Sequence, residues 1–321
     1  MSKFRREARM ARIALVTGGS GFVGGHLSER LVDEGWSVRV LDLRRPALER
    51  PVEWIDADVR DKEAMTRAAT GAEVIFHLGA VVGVDRAIQD PVEAIDVTVT
   101  GTLSALEAAT ASGASLVHLS SSEVLGMNTD LPWVEESNRV LGSALTDRWS
   151  YGSAKAAAEH LVLAGAPLRS IAATVIRPFN VYGPRQERRF VVPLMLDAAL
   201  TGTAVRVHGD GTQTRSFTYV DDVVSGIVAA GNKPGIGPLF HIGSSDEISI
   251  MSLAKLIVDK SESQSPVYLE EPSATWGGRF EDIGRRLPDA SQAQSLLGWT
   301  ATTSLESGLD RTIEWARSKG W

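Results

Sequence analysis

The sequence contains no cysteine among its 321 residues, so disulfide bonds and thiolate metal ligands are excluded. Its six histidines are scattered without the spacing of a metal site, and we expect no metal. Basic residues are also in the minority, because 33 Lys and Arg stand against 40 Asp and Glu, for a net charge of −7. Nucleic-acid binding proteins carry a compensating basic face, so the sequence predicts no nucleic-acid partner.

Long apolar runs are missing as well. No stretch reaches the about 18 apolar residues of a membrane-spanning helix. The basic segment from Met1 to Arg12 lacks the apolar core of a signal peptide, and we read it as a solvated tail. We therefore expect no membrane partner and a cytoplasmic location. The composition, 43% hydrophobic and 23% charged, is that of a globular protein with one large domain or two closely packed ones.

Short apolar segments alternate with longer amphipathic ones in the first half of the chain. The apolar segments predict strands at residues 12–17, 37–43, 52–57, 73–78, 115–120 and 171–177. The amphipathic segments predict helices at residues 22–34, 61–69, 91–112 and 149–164. Strands that alternate with helices build βαβ units, so the sequence predicts an α/β fold with a Rossmann-like, doubly wound parallel sheet.

Glycine-rich turns become frequent after Pro178. Further amphipathic helices are predicted at residues 191–200, 250–260 and 304–317. These features indicate a smaller α/β C-terminal lobe. We expect a first domain over residues 1–180, with part of 205–245 interleaved into it, and a second lobe mainly over 181–321.

A glycine-rich turn joins the first predicted strand to the first predicted helix. Gly18 makes the tight turn, Gly21 lets the backbone approach a pyrophosphate at the helix N-terminus, and Gly24 lets the helix lie close to the sheet. This context is typical of a dinucleotide-binding turn. The cofactor-binding residues predicted here are Gly18, Gly21, Phe22, Val23 and Gly24.

Asp42 stands at the end of the second strand, about 20 residues beyond the glycine turn. A carboxylate at this place accepts hydrogen bonds from a ribose diol and repels a 2′-phosphate, so the sequence favours NAD over NADP. Arg44 and Arg45 follow closely, and either guanidinium could instead meet a phosphate.

Tyr151 and Lys155 lie four residues apart in a predicted helix, which places the phenol and the ammonium on one face. A tyrosine acts as a base only when ionised, and its ordinary pKa is about 10. Lys155 and a positive nicotinamide ring are expected to lower that pKa in a site shielded from water. Ser121, from the serine run at the end of a strand, is expected to hold the substrate oxygen. The group is suited to oxidising a secondary alcohol while NAD takes the hydride.

Together these motifs resemble the extended short-chain dehydrogenase/reductases, in the NAD-dependent sugar-nucleotide epimerase/dehydratase group, over almost the whole chain. The resemblance implies that Asp58 and Val59 contact the adenine and that Leu78 and Ala80 lie beside the nicotinamide ribose. It also implies that the tyrosine and lysine contact the cofactor as well as the substrate. Asp96 departs from an asparagine common in this family.

The resemblance extends to the substrate site. Residues 177–184 are similar to the family's nucleotide-sugar segment, which implies that Asn180 contacts the diphosphate. Arg215 and Arg286 resemble the family's two diphosphate arginines, a role that suits the bidentate geometry of guanidinium groups. The expected partner is a UDP-sugar, of which UDP-N-acetylglucosamine is preferred, bound by the C-terminal lobe. Helices rich in small residues, at 94–112 and 149–164, also predict a homodimer, as in the family.

Ser122 and Glu123 occupy the positions where 4,6-dehydratases of the family carry Asp-Glu and related decarboxylases carry Ser-Glu. Oxidation at C4 acidifies the C5 hydrogen, which a carboxylate can remove so that the C6 hydroxyl leaves. Serine is a poorer acid than aspartic acid, which disfavours delivery of hydride to C6. Three reactions stay open: dehydration to a 5,6-ene sugar as in hexosamine 5,6-dehydratases, decarboxylation of a uronic acid, and 4-epimerisation. A dinucleotide-sensing binding protein is the non-enzymatic alternative, which the intact Tyr-Lys-Ser group disfavours.

Overall fold

The computed structural model describes residues 12–271 and 283–321. Residues 1–11 of the basic tail expected from Met1 to Arg12 lie outside the described residues, and Arg12 itself forms an ion pair with Glu73. The strands are β1 (Ile13–Thr17), β2 (Ser37–Leu41), β3 (Glu53–Ile55), β4 (Val74–His77), β5 (Ser115–Leu119), β6 (Ala173–Pro178), β7 (Val181–Tyr182), β8 (Val205–His208), β9 (Thr214–Ser216), β10 (Thr218–Tyr219), β11 (Leu239–Ile242), β12 (Glu247–Ser249), β13 (Val267–Glu270) and β14 (Arg285–Arg286).

Helices connect most of these strands. They are α1 (Phe22–Asp33), α2 (Lys62–Ala68), α3 (Val84–Gln89), α4 (Pro91–Ser112), α5 (Trp149–Leu168), α6 (Val191–Thr201), α7 (Val220–Asn232), α8 (Ile250–Lys260) and α9 (Leu305–Ser318). A short 3₁₀ helix, Ser122–Leu125, follows β5. Among these helices, none combines the length and the hydropathy that crossing a bilayer requires.

Seven strands form one parallel sheet in the order β11-β6-β5-β4-β1-β2-β3. From β1 the order runs outward in both directions, which is the doubly wound arrangement predicted from the sequence. β4 is buried along its whole length, as expected for a strand that is covered by helices on both faces. The predicted α/β, Rossmann-like fold is therefore confirmed.

Alternate side chains of the central strands enter two separate cores. On one face Val16 and Phe76 pack with Leu27 of α1 and Ile227 of α7. On the other face Leu15 and Ile75 pack with residues of α2, α4 and α5, among them Met65, Leu106 and Val162. Because side chains alternate along a strand, a continuous apolar run supplies both cores at once.

The C-terminal part of the chain builds smaller sheets beside the main one. β9 lies between β12 and β14, β8 pairs with β13, and β7 pairs with β10. β11 instead returns to the central sheet and pairs with β6. The boundaries of the two expected domains stay a prediction.

Parallel pairing brings the carboxyl ends of β1, β4, β5 and β6 to one edge of the sheet. Ligands of open α/β sheets bind outside this edge. The glycine turn follows β1, the serine run follows β5, and Asn180 comes two residues after β6. The fold therefore places the cofactor turn, the catalytic residues and the substrate segment around the same edge.

Candidate active site

The glycine turn between β1 and α1 has the geometry of a phosphate cradle. Gly18 has a φ of +70°, and a Cβ there would lie 2.8 Å from the backbone nitrogen of Gly79. A Cβ at Gly24 would overlap the carbonyl oxygen of Gly18, so the close approach of α1 requires glycine. Gly21 caps α1 without a side-chain hydrogen bond, and Phe22 and Val23 begin the helix. The helix N-terminus is therefore suited to an anionic pyrophosphate.

Asp42 lies directly after β2 and beside the glycine turn. Its Oδ2 accepts a hydrogen bond from the Ser20 backbone N–H at 3.1 Å, and its Oδ1 accepts one from the Arg44 backbone N–H at 2.9 Å. These contacts fix the carboxylate next to the place where a dinucleotide ribose meets the end of β2. Asp42 as the ribose ligand stays a prediction.

The residues expected around the adenine and the nicotinamide ribose line the neighbouring strand ends. Asp58 forms an ion pair with Arg60 at 2.6 Å, and this hydrogen bond lowers the pKa of the Asp58 carboxyl. Asp96, the departure from the family's asparagine, also pairs with Arg60, at 2.8 Å. Val59 is buried close to Gly79. Leu78 and Ala80 flank this glycine at the end of β4. Contact of these residues with the adenine and the nicotinamide ribose stays a prediction.

Tyr151, Ser121 and Lys155 lie close to the carboxyl end of β5. Tyr151 is buried near the start of α5 and forms a hydrogen bond with Ser121. Burial first, and the negative charge of Glu123 second, raise the pKa of the Tyr151 phenol above its ordinary value, whereas the Ser121 hydrogen bond opposes the shift. In the polypeptide alone, desolvation of the phenolate thus outweighs the neighbouring cations, and the lowered tyrosine pKa expected with the nicotinamide ring present stays a prediction.

Lys155 lies one turn beyond Tyr151 on α5. Its Nζ donates a hydrogen bond to the Leu119 carbonyl oxygen at 2.8 Å, at the end of β5. Burial lowers the pKa of Lys155 to about 8, and the charge of Glu159 opposes that shift. The ammonium is thus held between the helix and the strand end and keeps most of its positive charge at neutral pH.

Glu123 lies between two arginines. Its Oε1 contacts Arg286 Nη1 at 2.5 Å, and its Oε2 lies 2.9 Å from Arg148 Nη2. Burial by itself would raise the pKa of this carboxyl, but the charges of Arg286 and Arg148 overcome it and lower the pKa to about 2. The neighbouring Ser122 is only 3% exposed, so its hydroxyl lies within the protein rather than in solvent. Ser122 and Glu123 begin the short 3₁₀ helix, which the Ser121 hydroxyl caps by accepting from the Glu123 N–H at 3.2 Å.

Arg148 is a site residue that the sequence reasoning missed. It is 2% exposed, and its guanidinium lies 4.6 Å from the ring centroid of Trp149. Its place three residues before Tyr151 was the available signal, because residues three apart share a helix face. Most arginines lie in solvent, so this spacing alone did not indicate that Arg148 belongs to the site.

The three residues expected at the diphosphate lie on neighbouring backbone segments. Arg215 and Arg286 are register partners on the parallel strands β9 and β14. The Asn180 side chain donates to the Ser216 carbonyl oxygen at 2.8 Å, and Arg215 donates to the carbonyl oxygens of Thr214 and Gly284. In the ligand-free chain, Arg286 Nη1 binds the Glu123 carboxylate, and the role of Arg286 at the diphosphate stays a prediction. Among the described residues, its buried Nε has no hydrogen-bond partner.

This arrangement combines a dinucleotide-binding turn with a Tyr-Lys-Ser group suited to alcohol oxidation. Beside that group lies the Glu123 carboxylate, which Arg148 and Arg286 contact. Among the described residues, no group of side chains has the composition of a metal site. The chemistry that fits is reversible hydride transfer at a secondary alcohol of an anionic substrate, coupled to proton removal at a neighbouring carbon.

Comparison with known proteins agrees with this geometry. A model of the NAD dependent epimerase/dehydratase family matches residues 14–243. The chain is 35% identical over 318 residues to the UDP-N-acetyl-alpha-D-glucosaminuronate decarboxylase of Bacillus cytotoxicus, with 96% of this chain and 98% of the relative covered.

Solved structures of two further activities have the same fold. The UDP-glucose 4-epimerase of Thermotoga maritima, solved with UDP-glucose, has a TM-score of 0.87 and 30% identity and covers 96% of this chain and 99% of that one. The dTDP-glucose 4,6-dehydratase of Streptomyces venezuelae, solved with NAD, has a TM-score of 0.84 and 27% identity over 95% of this chain and 97% of that one. Similar chains thus catalyse decarboxylation, epimerisation and dehydration, so the choice among them depends on individual residues.

Proposed function

Because the chain belongs to the NAD dependent epimerase/dehydratase family, we propose that it is a redox-neutral nucleotide-sugar dehydratase that produces a 5,6-ene UDP-hexosamine. NAD supplies the chemistry of the family by accepting a hydride from the sugar and returning it. The observation that carries the proposal is the Glu123 carboxylate beside Tyr151, since elimination needs a base at C5 that 4-epimerisation does not need.

In the first step the C4 hydroxyl of the sugar becomes a ketone. Ser121 holds the C4 oxygen, and Tyr151 removes the hydroxyl proton while the C4 hydrogen leaves as hydride. Lys155 supplies the positive charge that favours the phenolate. Because the phenol of Tyr151 has a raised pKa in the polypeptide, a bound nicotinamide ring would supply further positive charge that favours the phenolate.

In the second step Glu123 removes the C5 proton, which the C4 ketone has acidified. The C5–H electrons form the C5–C6 double bond, and the C6–O bond breaks with loss of hydroxide, which takes the proton from the Glu123 carboxyl and leaves as water, so that the carboxylate is regenerated. Ser122 stands where 4,6-dehydratases of the family carry an aspartic acid, and it is a poor acid for reduction at C6. Hydride therefore returns to C4, and the phenol of Tyr151 returns the proton to the C4 oxygen.

A carboxyl with a pKa of about 2 is a weak base, so elimination requires that Glu123 lose part of its cationic surroundings. Arg286 is the arginine suited to leave, because it comes from β14 beside Arg215 and has a spare Nε donor. A substrate diphosphate competes with Glu123 for this guanidinium. Arg148, buried and stacked on Trp149, stays with the carboxylate.

The proposed substrate is UDP-N-acetylglucosamine, with Asn180, Arg215 and Arg286 at its diphosphate. The overall resemblance of the chain to the hexosamine 5,6-dehydratase of tunicamycin biosynthesis supports this choice and an antibiotic-biosynthesis role. The intact Tyr-Lys-Ser group disfavours a binding protein that only senses the dinucleotide.

Decarboxylation of a UDP-uronic acid is the second candidate, and two observations favour it. The pair Ser122-Glu123 is the one that decarboxylases of this family carry. Arg148, Arg286 and Glu123 together have a net charge of +1, which one substrate carboxylate would neutralise. UDP-sugar 4-epimerisation is the third candidate, and it leaves Glu123 without a role.

The test is Glu123→Gln, with Glu136→Gln as the matched control because Glu136 is exposed on a nearby loop. The Glu123→Gln enzyme is expected to oxidise C4 and stall with reduced cofactor and a 4-keto sugar, and C5 hydrogen exchange with deuterated water is expected to stop. General-base losses are about 10²–10⁴-fold in rate. If the variant turns over within about threefold of the parent, the dehydratase assignment fails and an epimerase becomes the better account.

A further inference from the structure

Behind the catalytic residues lies a carboxylate that the proposed reaction does not use. Glu159, on α5, is 0% exposed. Its Oε1 accepts hydrogen bonds from Ser120 Oγ at 2.6 Å and from Arg177 Nε at 2.8 Å. Its Oε2 accepts from Arg177 Nη2 at 2.8 Å and from Arg139 Nη2. Both oxygens are thus saturated by donors from three other segments.

These contacts join the elements that carry the catalytic residues. Ser120 directly follows β5 and is bonded covalently to Ser121, whereas Arg177 lies on β6. Glu159 itself is one helical turn beyond Lys155. A bidentate guanidinium–carboxylate pair has a fixed geometry, so Glu159 fixes the position of α5 relative to the ends of β5 and β6.

The negative charge of Glu159 also raises the pKa of the Lys155 ammonium, against the effect of burial. The other ionisable groups around Lys155 are Tyr151 on α5, His77 on β4 and His118 on β5. Burial lowers the pKa of both histidines, so they are neutral near pH 7 and add no positive charge beside Lys155. Beyond Glu159 lie further cations, Arg177 and Arg139, and a histidine whose pKa burial lowers to about 3, His241.

We propose that Glu159 is a positioning residue that holds Ser120 and the Lys155 helix in register and keeps the Lys155 ammonium charged. It acts through Lys155 and the serine run, and it does not touch the substrate. The role goes beyond the proposed dehydration, because C4 oxidation is shared by dehydration, decarboxylation and epimerisation.

The first test measures the Lys155 pKa directly in the NAD-bound enzyme, by NMR of ¹³C-labelled lysine assigned with Lys155→Arg. In Glu159→Gln the pKa is expected to fall by about one unit below that of the parent enzyme measured in the same way. Glu159→Asp, which keeps the charge, is expected to restore most of it. Glu314→Gln, an exposed change on α9, is the control. An unchanged Lys155 pKa in folded Glu159→Gln enzyme would overturn the electrostatic role.

The second test keeps every charge and removes one hydrogen bond, so it remains decisive if Glu159→Gln does not fold. Ser120→Ala is expected to slow formation of reduced cofactor in a single turnover about tenfold while leaving the Lys155 pKa unmoved. The assay uses whichever of UDP-N-acetylglucosamine, UDP-glucose and UDP-glucuronate the parent oxidises fastest, so it does not depend on the product. A parent-like oxidation rate in Ser120→Ala would contradict the positioning role.

Discussion

Two guanidinium groups determine the acid strength of Glu123. Arg148 and Arg286 each approach one carboxylate oxygen, and together they outweigh the cost of burying the charge. Removing the Glu123 carboxylate would leave the two buried guanidinium charges without this counter-charge. The same residue that is proposed as the base therefore also holds the two arginines of the site together.

This arrangement predicts a dependence of stability on pH. The pKa of Glu123 is lowered from an ordinary 4.5 to about 2, so its stabilising contribution is complete above pH 4.5 and is lost as the pH falls through 2. The contribution is on the order of 3 kcal/mol, since each unit of pKa corresponds to about 1.4 kcal/mol. Glu123→Gln is therefore expected to be less stable than the parent at pH 7, and the difference is expected to shrink by pH 3.

Urea unfolding followed by circular dichroism measures both free energies of unfolding, with Glu136→Gln as the control. A gap between parent and Glu123→Gln that stays constant from pH 7 to pH 3 would show that the charge of Glu123 contributes nothing to stability.

The individual catalytic side chains were predictable to different degrees. The spacing of Tyr151 and Lys155 predicted their shared helix face, and the serine run predicted that Ser121 would meet them. The ion pair between Arg286 and Glu123 joins residues 163 positions apart, which no local pattern encodes. The direction of the tyrosine pKa shift depends on burial, which a spacing cannot measure.

At the scale of elements, α5 has two differently used faces. Arg148 precedes the helix, and Tyr151, Lys155 and Glu159 follow at intervals of four residues on its inner face. Four small or polar residues form an exposed stripe on the outer face: Ser153, Ala157, His160 and Ala164. α4 packs against α5 within the chain. A surface of small residues permits close helix packing across a two-fold axis.

The expected homodimer can be tested on this stripe. Ala157→Glu places a charge at the middle of the proposed interface, where burying it without a partner is costly. We expect the parent to be a dimer by light scattering at micromolar concentration and Ala157→Glu to be a monomer. Ala47→Glu, on an exposed loop, is expected to stay dimeric. A monomeric parent would refute the dimer, and a dimeric Ala157→Glu would place the interface elsewhere.

The main sheet was predictable because its strands are continuous apolar runs, each bounded by a turn. The long helices were predictable from their amphipathic pattern. β11 and α7 were not assigned from the sequence. β11 enters the sheet only through pairing with β6, more than 60 residues earlier in the chain. The short strands β9, β12 and β14 were not predictable either. They form by pairing with one another, and two or three residues are too few to show a strand pattern in the sequence.

For the whole molecule, one ion pair joins the two parts of the active site. Glu123 follows β5 of the central sheet, and Arg286 belongs to β14, beside Arg215. A substrate whose diphosphate binds Arg286 and whose sugar reaches Tyr151 would occupy the space between them. In this account substrate binding itself frees Glu123 to act as a base, so proton removal at C5 follows binding and C4 oxidation.

We propose that the enzyme removes water from a UDP-hexosamine and leaves its cofactor unchanged. The most direct measurement incubates the purified protein separately with UDP-N-acetylglucosamine, UDP-glucose, UDP-glucuronate and UDP-N-acetylglucosaminuronate. Product masses and NADH absorbance are recorded. The account predicts loss of water from UDP-N-acetylglucosamine, a 5,6-alkene in the product, and no stoichiometric rise in NADH. Loss of carbon dioxide from a uronate, or a product of unchanged mass, would contradict it.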